Sequence, residues 1–392
     1  MTATMLRDEA DLLARTLLDA VPGLVVTAWG STARRERTPS SDLDLMCWNP
    51  GGAELPALTV QYAQYLDLVA CTGGRGALRG FATANATDLH AVMFSEVIGG
   101  DPALVSAFEE VVGDLWRDSR LRAQEVCHLL ATAVLLPAVH GATLYRPEKF
   151  ALGATRCWTA LAECGALIEG RSRHHATEPV LGALAAQGLV EPGAPAAFAT
   201  AMRLRRDCEQ GRTSHREQQV RRAALAAEFL ASVRRLLDRR HDWLAANAPL
   251  DSEVLQQLAA VLTGTAIPAR AEGTACRSEP QAMLQVFLAG SARQVRAQLE
   301  RAYGGSWWVR HAALMNPHTD AATLRLIVRQ SASHRRRWAD RNLLLYALRH
   351  PNASQGLLDD IARRGHPLRP MDCEAARAAA AALADRRSHH SR

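Results

Sequence analysis

The chain has 392 residues, enough for two or three domains with packed cores. Its formal net charge is +6, yet residues 1–120 carry nine Arg against 16 Asp and Glu, a net of −7. Of the 46 basic residues only Lys149 is a lysine, and arginines scattered along a chain are typical of solvated helix faces. We therefore expect no nucleic-acid partner.

The apolar and cysteine patterns argue against two further classes of protein. No uncharged apolar run reaches the length of about 18 residues that predicts a membrane helix. The start of the sequence shows no charged-then-apolar pattern, so we expect no secretory signal. The eight cysteines have no CxxC spacing, which predicts neither a zinc site nor a disulfide framework. We expect a cytoplasmic protein with reduced thiols.

The first elements of the chain read as a helix followed by two strands. Apolar residues at helical spacing predict a helix over Leu6–Ala20, and Pro22 and Gly23 end it. The β-branched run Gly23–Trp29 predicts a buried strand, and Leu43–Trp48 predicts a second. Asp42 and Asp44 stand at the entry of that second strand.

Two carboxylates and a glycine turn define the candidate chemistry. Residues two apart on a strand face the same way, so Asp42 and Asp44 should lie side by side and repel each other. A hard cation such as Mg²⁺ (or Mn²⁺) between them would remove the repulsion. The Gly30-Ser31 turn allows close backbone approach to phosphate oxygens, and the Ser31 hydroxyl can donate to them. The pattern predicts metal-dependent phosphoryl or nucleotidyl transfer.

The run GSTARRERTPSSDLD, from Gly30 to Asp44, resembles the nucleotidyltransferase superfamily and most closely the PII uridylyltransferase family. It departs from the latter at Ser31 and Ala33, where that family has glycine. The resemblance implies an α+β nucleotidyltransferase domain with a small mixed sheet, followed by a helical domain. It also implies nucleotide contacts by Gly30, Ser31, Arg34 and Ser41. Arg34 and Arg35 could instead pair with Glu36; we favour this structural role for Arg35 and leave both roles open for Arg34. The matching residues are Gly30, Arg34, Arg35, Glu36, Pro39, Ser41, Asp42, Asp44 and Leu45.

A third carboxylate completes the metal site or acts as base in this superfamily. The predicted strand Tyr65–Cys71 carries Asp67, which is our candidate. Asp88 is the alternative. We favour a capping role for Asp88, at the start of a predicted helix over Leu89–Ile98.

A second run, Arg146–Trp158, falls inside a mostly helical region and also resembles the family. Lys149, Gly153 and Arg156 match at the family's spacing. We read the run as a glycine-bearing loop whose Lys149 and Arg156 would face the triphosphate, where cations are needed beside the metal. The alternative is a basic loop that packs two domains together.

The last third of the chain contains a repeat at an offset of 34 residues. Each unit reads as an apolar helix, a proline turn and a second apolar helix, which predicts a helical solenoid that binds a protein. The two copies pair Ala313, Leu314, Pro317, Leu324 and Ile327 with Ala347, Leu348, Pro351, Leu358 and Ile361. Between them, residues 334–341 (HRRRWADR) read as a solvated basic loop.

Together these patterns predict four segments and one main activity. The segments are a nucleotidyltransferase domain (1–115), a helical domain that closes over its site (116–244), a helical-repeat domain (245–372) and an Ala/Arg-rich tail (373–392). The predicted activity moves a nucleoside monophosphate from UTP or ATP to a hydroxyl, most simply on a protein acceptor, with the repeats binding that acceptor or a regulator. The alternatives are a small-molecule nucleotidyltransferase, for example one acting on an antibiotic, and a non-catalytic nucleotide-binding adaptor.

Overall fold

The computed structural model describes residues 3–38, 41–58, 61, 66–139, 147–170, 176–213, 215–248, 252–263, 276–301, 303–333, 343, 347–348 and 350–363. The chain divides into two compact units. The first comprises Met1–Pro137 and Pro147–Ser252, and the second comprises Ala138–Arg146 and Glu253–Arg392. The basic run 334–341 and the tail 373–392 lie outside the described residues.

The first unit contains one small mixed sheet. Its strands are β1 (Val25–Ala28), β2 (Leu43–Asn49), β3 (Leu66–Thr72) and β4 (Glu96–Gly100), in the spatial order β3-β2-β1-β4. Strand β1 is antiparallel to both of its neighbours, whereas β2 and β3 are parallel. The sheet and the helices around it confirm the expected α+β layout.

The helices of the first unit pack on this sheet or follow it in the chain. They are α1 (Ala3–Ala20), α2 (Gly30–Ala33), α3 (Arg75–Ala82), α4 (Ala86–Met93), α5 (Pro102–Arg117), α6 (Ser119–Val139), α7 (Pro147–Glu169), α8 (Thr177–Ala186), α9 (Ala194–Glu209) and α10 (His215–Asn247). The apolar stripe of α1 packs on the sheet, where Leu13 clusters with Leu43 and Leu17 with Val26. Burial of these side chains fixes the sheet on which the candidate site is built.

Strand β4 corrects the predicted helix over Leu89–Ile98. Helix α4 already ends at Met93, whose carbonyl accepts a hydrogen bond from Trp116 Nε1 at 2.9 Å. The following residues pair with β1 instead of continuing the helix. Gly100 makes this possible because a Cβ there would lie 2.6 Å from the Leu24 carbonyl oxygen. The close approach of two backbones therefore decides between strand and helix.

Asp88 is also not the residue that caps α4, contrary to our prediction. The cap is Asn85, whose side-chain oxygen accepts from the Asp88 amide at 2.9 Å. Asp88 returns the interaction by accepting from Asn85 Nδ2 at 2.6 Å. This is a reciprocal capping arrangement in which the acidic residue stands in the first helical turn.

The second unit is built from helix pairs. Its described helices are α11 (Ser252–Thr263), α12 (Glu279–Phe287), α13 (Ala292–Leu299), α14 (Trp307–Met315), α15 (Ala321–Ser333) and α16 (Gln355–Ala362). Helix α12 packs on α14, α13 packs on α15, and α15 packs on α16. The pair α12–α13 is an additional copy that precedes the two copies expected from the sequence.

The additional copy has a different spacing from the others. The serines that cap α12 and α14, Ser278 and Ser306, are 28 residues apart, and both helices have nine residues. The buried Val295 and Leu299 of α13 correspond to Leu324 and Val328 of α15 at an offset of 29. A search at one fixed period of 34 therefore misses it.

Asn316 joins neighbouring helix pairs through the turn between α14 and α15. Its buried Nδ2 donates to the carbonyl oxygens of Val286, Phe287 and Ala289 at 2.8, 3.1 and 2.8 Å. His350, which stands 34 residues later, contacts the Asn316 carbonyl oxygen through Nε2 at 3.1 Å. Equivalent positions in successive units thus bind the preceding turn.

A second set of bonds joins the pairs along their second helices. Arg296 on α13 donates to Asp320 at 2.7 Å, and Arg325 on α15 donates to Ser354 at 3.2 Å. Asp320 and Ser354 precede the first residues of α15 and α16, and each accepts a hydrogen bond from a backbone amide of its helix.

Among the described residues, no helix is long and apolar enough to cross a membrane.

Candidate active site

The turn after β1 is tied closely to Asp44. Gly30 has a φ of +60°, and a Cβ there would lie 2.7 Å from Asp44 Oδ2. The Trp29 amide donates to the Asp44 carbonyl oxygen at 3.2 Å, and the Asp44 amide donates to Thr32 Oγ1 at 3.3 Å. Ser31, predicted to bind phosphate, lies half-buried in the same turn. Glycine is therefore required at position 30 for both its conformation and its lack of a side chain.

Three predicted acidic residues stand at the starts of two parallel strands. Asp44 on β2 is in register with Asp67 on β3, and Asp42 lies just before the first residue of β2. Burial raises the pKa of the Asp44 carboxyl well above its usual range, and the negative charges of Asp67 and Asp42 raise it further. The arrangement concentrates negative charge where a cation would be stabilised.

Arginines partly offset this charge. The guanidinium groups of Arg37 and Arg34 lower the pKa of Asp44, against the effect of burial and of the other carboxylates. Arg37 is a member of the site that the sequence reasoning missed. Its own pKa is lowered by burial, and the charges of Asp44, Glu9 and Asp42 raise it in opposition. The run RRER offers three arginines without indicating which one faces the aspartates.

Asp88, the alternative third carboxylate, is engaged elsewhere. It belongs to the capping arrangement with Asn85 at the start of α4. Asp67 is the one of the two that stands beside Asp44 in the sheet register. The geometry therefore favours Asp67 as the third acidic side chain of the site.

Arg34 is held between the turn and the helical part of the first unit. Its Nε donates to Glu36 at 3.1 Å, and its Nη1 donates to Glu163 on α7 at 2.6 Å. Glu36 in turn accepts from the backbone amide and the hydroxyl of Thr177, at 2.6 and 2.9 Å. Arg34 therefore joins the turn to α7 directly and to α8 through Glu36. The nucleotide-binding role expected of Arg34 stays a prediction.

Ser41 has a similar position on the other side of the motif. It is buried, and its Oγ accepts from Arg205 Nη2 on α9 at 2.9 Å. Arg205 Nε also donates to Glu209 at 3.1 Å, and Glu209 accepts from Thr38 Oγ1 at 2.5 Å. These bonds hold Ser41 in place. The nucleotide-binding role expected of Ser41 stays a prediction.

Arg35 faces solvent, unlike Arg34. Its Nη2 donates to Glu96 on β4 at 3.1 Å, and its side chain is 60 % exposed. Exposed ion pairs of this kind contribute only about 0–1 kcal/mol to stability. The pairing is consistent with a minor structural role.

Helix α7 corrects the predicted loop around Lys149, Gly153 and Arg156. It runs unbroken from Pro147 to Glu169, because the fixed φ of a proline suits a first helical position and the two interior glycines, Gly153 and Gly165, are tolerated. Lys149 and Gly153 belong to the first turns of α7, and the side chain of Lys149 lies outside the part of the chain that the structure describes. Arg156 is exposed, and its charge lowers the pKa values of Glu163 and His128.

A buried polar cluster lies between α4, α6 and α7. His90 Nδ1 contacts Glu125 at 3.2 Å, and its Nε2 is 3.7 Å from Glu163. Burial raises the pKa of Glu163 to about 7, although Arg34 opposes the rise. Burial lowers the pKa of His128 to about 3, with the charges of His90 and Arg156 contributing. Sequence reasoning found none of the four titratable side chains of this cluster, because they come from helices far apart in the chain. They are His90, Glu125, His128 and Glu163.

The site residues fit a bound Mg²⁺ or Mn²⁺ that takes the rest of its coordination from water or from substrate phosphates. Within the described residues, no set of three or more His, Cys, Asp or Glu side chains is arranged to hold a metal alone. Mg²⁺ is commonly held by one or two carboxylates together with substrate phosphates and water. The carboxylates of Asp44 and Asp67 at one register position, with Asp42 just before β2, supply oxygen donors of the kind that Mg²⁺ prefers.

Comparisons with known proteins add no assignment. No protein-family model matches the sequence, and no curated protein matches it at a significant level. The resemblance to nucleotidyltransferases therefore rests on the motif from Gly30 to Asp44 and on the chemistry its residues can perform.

Proposed function

We propose that the protein is a metal-dependent nucleotidyltransferase that moves a nucleoside monophosphate from UTP or ATP to an acceptor hydroxyl. One observation carries the proposal: Asp44 and Asp67 share a register position on parallel strands, with Asp42 two residues away and the Gly30 turn against Asp44. A charge cluster that is costly for folding is expected where it serves chemistry.

Each residue of the cluster has a proposed role. Asp42 and Asp44 would hold Mg²⁺ or Mn²⁺, which supplies positive charge to the triphosphate when bound. Gly30 and Ser31 would contact the β- and γ-phosphates. The acceptor oxygen forms a bond to the α-phosphorus, the bond from the α-phosphorus to the bridging oxygen breaks, and pyrophosphate leaves. Asp67 would take the proton of the acceptor hydroxyl.

The acceptor that we propose is a protein. The stacked helix pairs of the second unit support this choice, since helical solenoids present extended surfaces that bind other proteins. Uridylylation of a regulatory protein is the activity that the family resemblance suggests. Arg34, Ser41, Lys149 and Arg156 stay predicted nucleotide contacts within this proposal, and the cytoplasm stays the predicted location.

Label transfer tests the proposal. The purified chain is incubated with each α-³²P-labelled NTP, with Mg²⁺ or Mn²⁺, and with a lysate of the source cell. The Asp42→Ala/Asp44→Ala variant is run in parallel, and Asp19→Asn on the exposed end of α1 is the control for loss of an acidic residue. We expect a labelled protein band that requires Asp42 and Asp44 and survives Asp19→Asn.

The other outcomes separate the alternatives. Label that moves only into small molecules would replace the protein acceptor by a small-molecule one. Binding of NTP without label transfer under any of these conditions would reject the enzyme and favour the nucleotide-binding adaptor.

A further inference from the structure

Thr38 and Ser41, the two ends of the short segment that precedes Asp42, are hydrogen-bonded to each other. The Thr38 amide donates to Ser41 Oγ at 2.9 Å, and the Ser41 amide donates to the Thr38 carbonyl oxygen at 2.9 Å. Both residues are buried. The two bonds therefore fix Thr38 and Ser41 relative to each other, and Asp42 follows directly after Ser41.

Helix α9 contacts both ends of this segment through the ion pair of Arg205 and Glu209. Arg205, which is 3 % exposed, donates to Ser41 Oγ at 2.9 Å and to Glu209 at 3.1 Å. Glu209 accepts from Thr38 Oγ1 at 2.5 Å. Removing a guanidinium and a carboxylate from water costs several kcal/mol, which an apolar contact would avoid. Because the charged groups bond only in defined directions, the contact of α9 with Ser41 and Thr38 has a specific geometry.

The position of Asp42 depends on this segment, whereas the position of Asp44 is fixed by other contacts. Asp44 lies within β2 and is bonded to the Gly30 turn through its amide and carbonyl groups. Asp42 precedes Leu43, the first residue of β2. Because Cα atoms of consecutive residues are about 3.8 Å apart, a displacement of Ser41 is transmitted to Asp42. The charge of Asp42 also acts on Arg205, consistent with their proximity.

We propose that Arg205, paired with Glu209 and bonded to Ser41, is a positioning residue that fixes Asp42 in the geometry needed to bind the metal. The helical part of the first unit thereby completes a site whose other acidic residues belong to the sheet. This inference rests on the proposed function for the identity of Asp42 as a ligand, but its test does not depend on turnover.

Mn²⁺ alone serves as the probe, and binding is followed by the loss of the free-ion signal in electron paramagnetic resonance. The variants of the full chain are Ser41→Ala and Arg205→Lys, which keeps the charge but cannot donate to Ser41 and Glu209 in the same planar geometry. Asp42→Asn marks the effect of losing the ligand itself. Arg206→Gln is the matched control, because Arg206 neighbours Arg205 on α9 and is exposed.

We expect Ser41→Ala and Arg205→Lys each to weaken Mn²⁺ binding about 10-fold, as residues behind metal ligands commonly do. The double variant should bind Mn²⁺ no more weakly than the poorer single variant, because both changes remove the same bond between Arg205 and Ser41. In the label-transfer assay of Arg205→Lys, the metal concentration for half-maximal rate should rise by the same factor, with the KM for NTP unchanged. Hydrogen exchange of residues 37–44 should become faster, and Arg206→Gln should leave every readout unchanged.

Two results would overturn the inference. The first is faster exchange of residues 37–44 with Mn²⁺ affinity as in the wild type, which would make Arg205 a purely structural residue. The second is a wild-type chain that binds no Mn²⁺. A wild type that binds Mn²⁺ but transfers no label would reject the proposed function alone, and the Mn²⁺ affinities of the variants would still decide the role of Arg205.

Discussion

At the scale of single residues, Gly30 gives the sharpest prediction. Gly30→Ala places a Cβ 2.7 Å from Asp44 Oδ2, so the carboxylate must move. Gly23→Ala is the matched control, because Gly23 also has a positive φ, +83°, and a Cβ there meets nothing within 4 Å. Both variants should lose about 1–2 kcal/mol from backbone strain, measured by urea unfolding. Only Gly30→Ala should abolish label transfer; equal activity in the two variants would contradict the proposed site.

Glu163 gives a prediction about pH. Its pKa rises from an ordinary 4.5 to about 7, chiefly because it is buried. The folded chain therefore holds this proton more tightly than the unfolded chain between those pH values, so stability falls as the pH rises through the window. Relative to Glu163→Gln, the wild type should lose roughly 3 kcal/mol in free energy of unfolding between pH 4.5 and pH 8.

Urea unfolding at several pH values measures this effect. Glu169→Gln, which makes the same chemical change on the last turn of α7, is the control. A wild type and a Glu163→Gln variant whose stabilities run parallel across the window would show that Glu163 does not carry the proton uptake.

At the scale of elements, the pairing of β2 with β3 separates two acidic residues of similar burial. Asp67 is 8 % exposed and Asp88 is 4 % exposed, but only Asp67 shares a register position with Asp44. Asp67→Asn should lower the label-transfer rate by about 100-fold or more, as expected for loss of a general base. Asp88→Asn should instead destabilise the fold by about 1 kcal/mol through the α4 cap. Similar rates for the two variants would remove Asp67 from the mechanism.

The same elements show where sequence reasoning succeeds. The first two strands, the helix before them and the proline-linked helix pairs were predictable, because each has a local apolar period and a turn signal. Strand β4 was not, since it depends on the close approach of Gly100 to Leu24. The partners of the motif, such as Glu163 and Arg205, lie 129 and 164 residues away from Arg34 and Ser41 and leave no local trace.

At the scale of the whole molecule, buried polar side chains join neighbouring elements within each unit. In the second unit, a substitution of Asn316 measures the strength of such a connection. Asn316→Ala leaves the carbonyl oxygens of Val286, Phe287 and Ala289 without this donor. We expect a loss of about 2–3 kcal/mol in urea unfolding. Asn352→Ala is the control: Asn352 is exposed and donates to two carbonyl oxygens of the preceding turn. Equal losses would mean that burial of the amide is unimportant.

The bonds along the second helices make the middle helix pair a self-contained module. It carries an acceptor, Asp320, for the arginine of the pair before it, and a donor, Arg325, for the cap of the pair after it. A tandem copy of residues 307–340, one repeat of 34 residues, would place Arg325 of one copy beside Asp320 of the next, so the two copies would join through the same kind of arginine-to-cap bond. Gene duplication within this segment would lengthen the array one helix pair at a time, and the offsets of 28 and 34 residues show that the repeat length already varies within this chain.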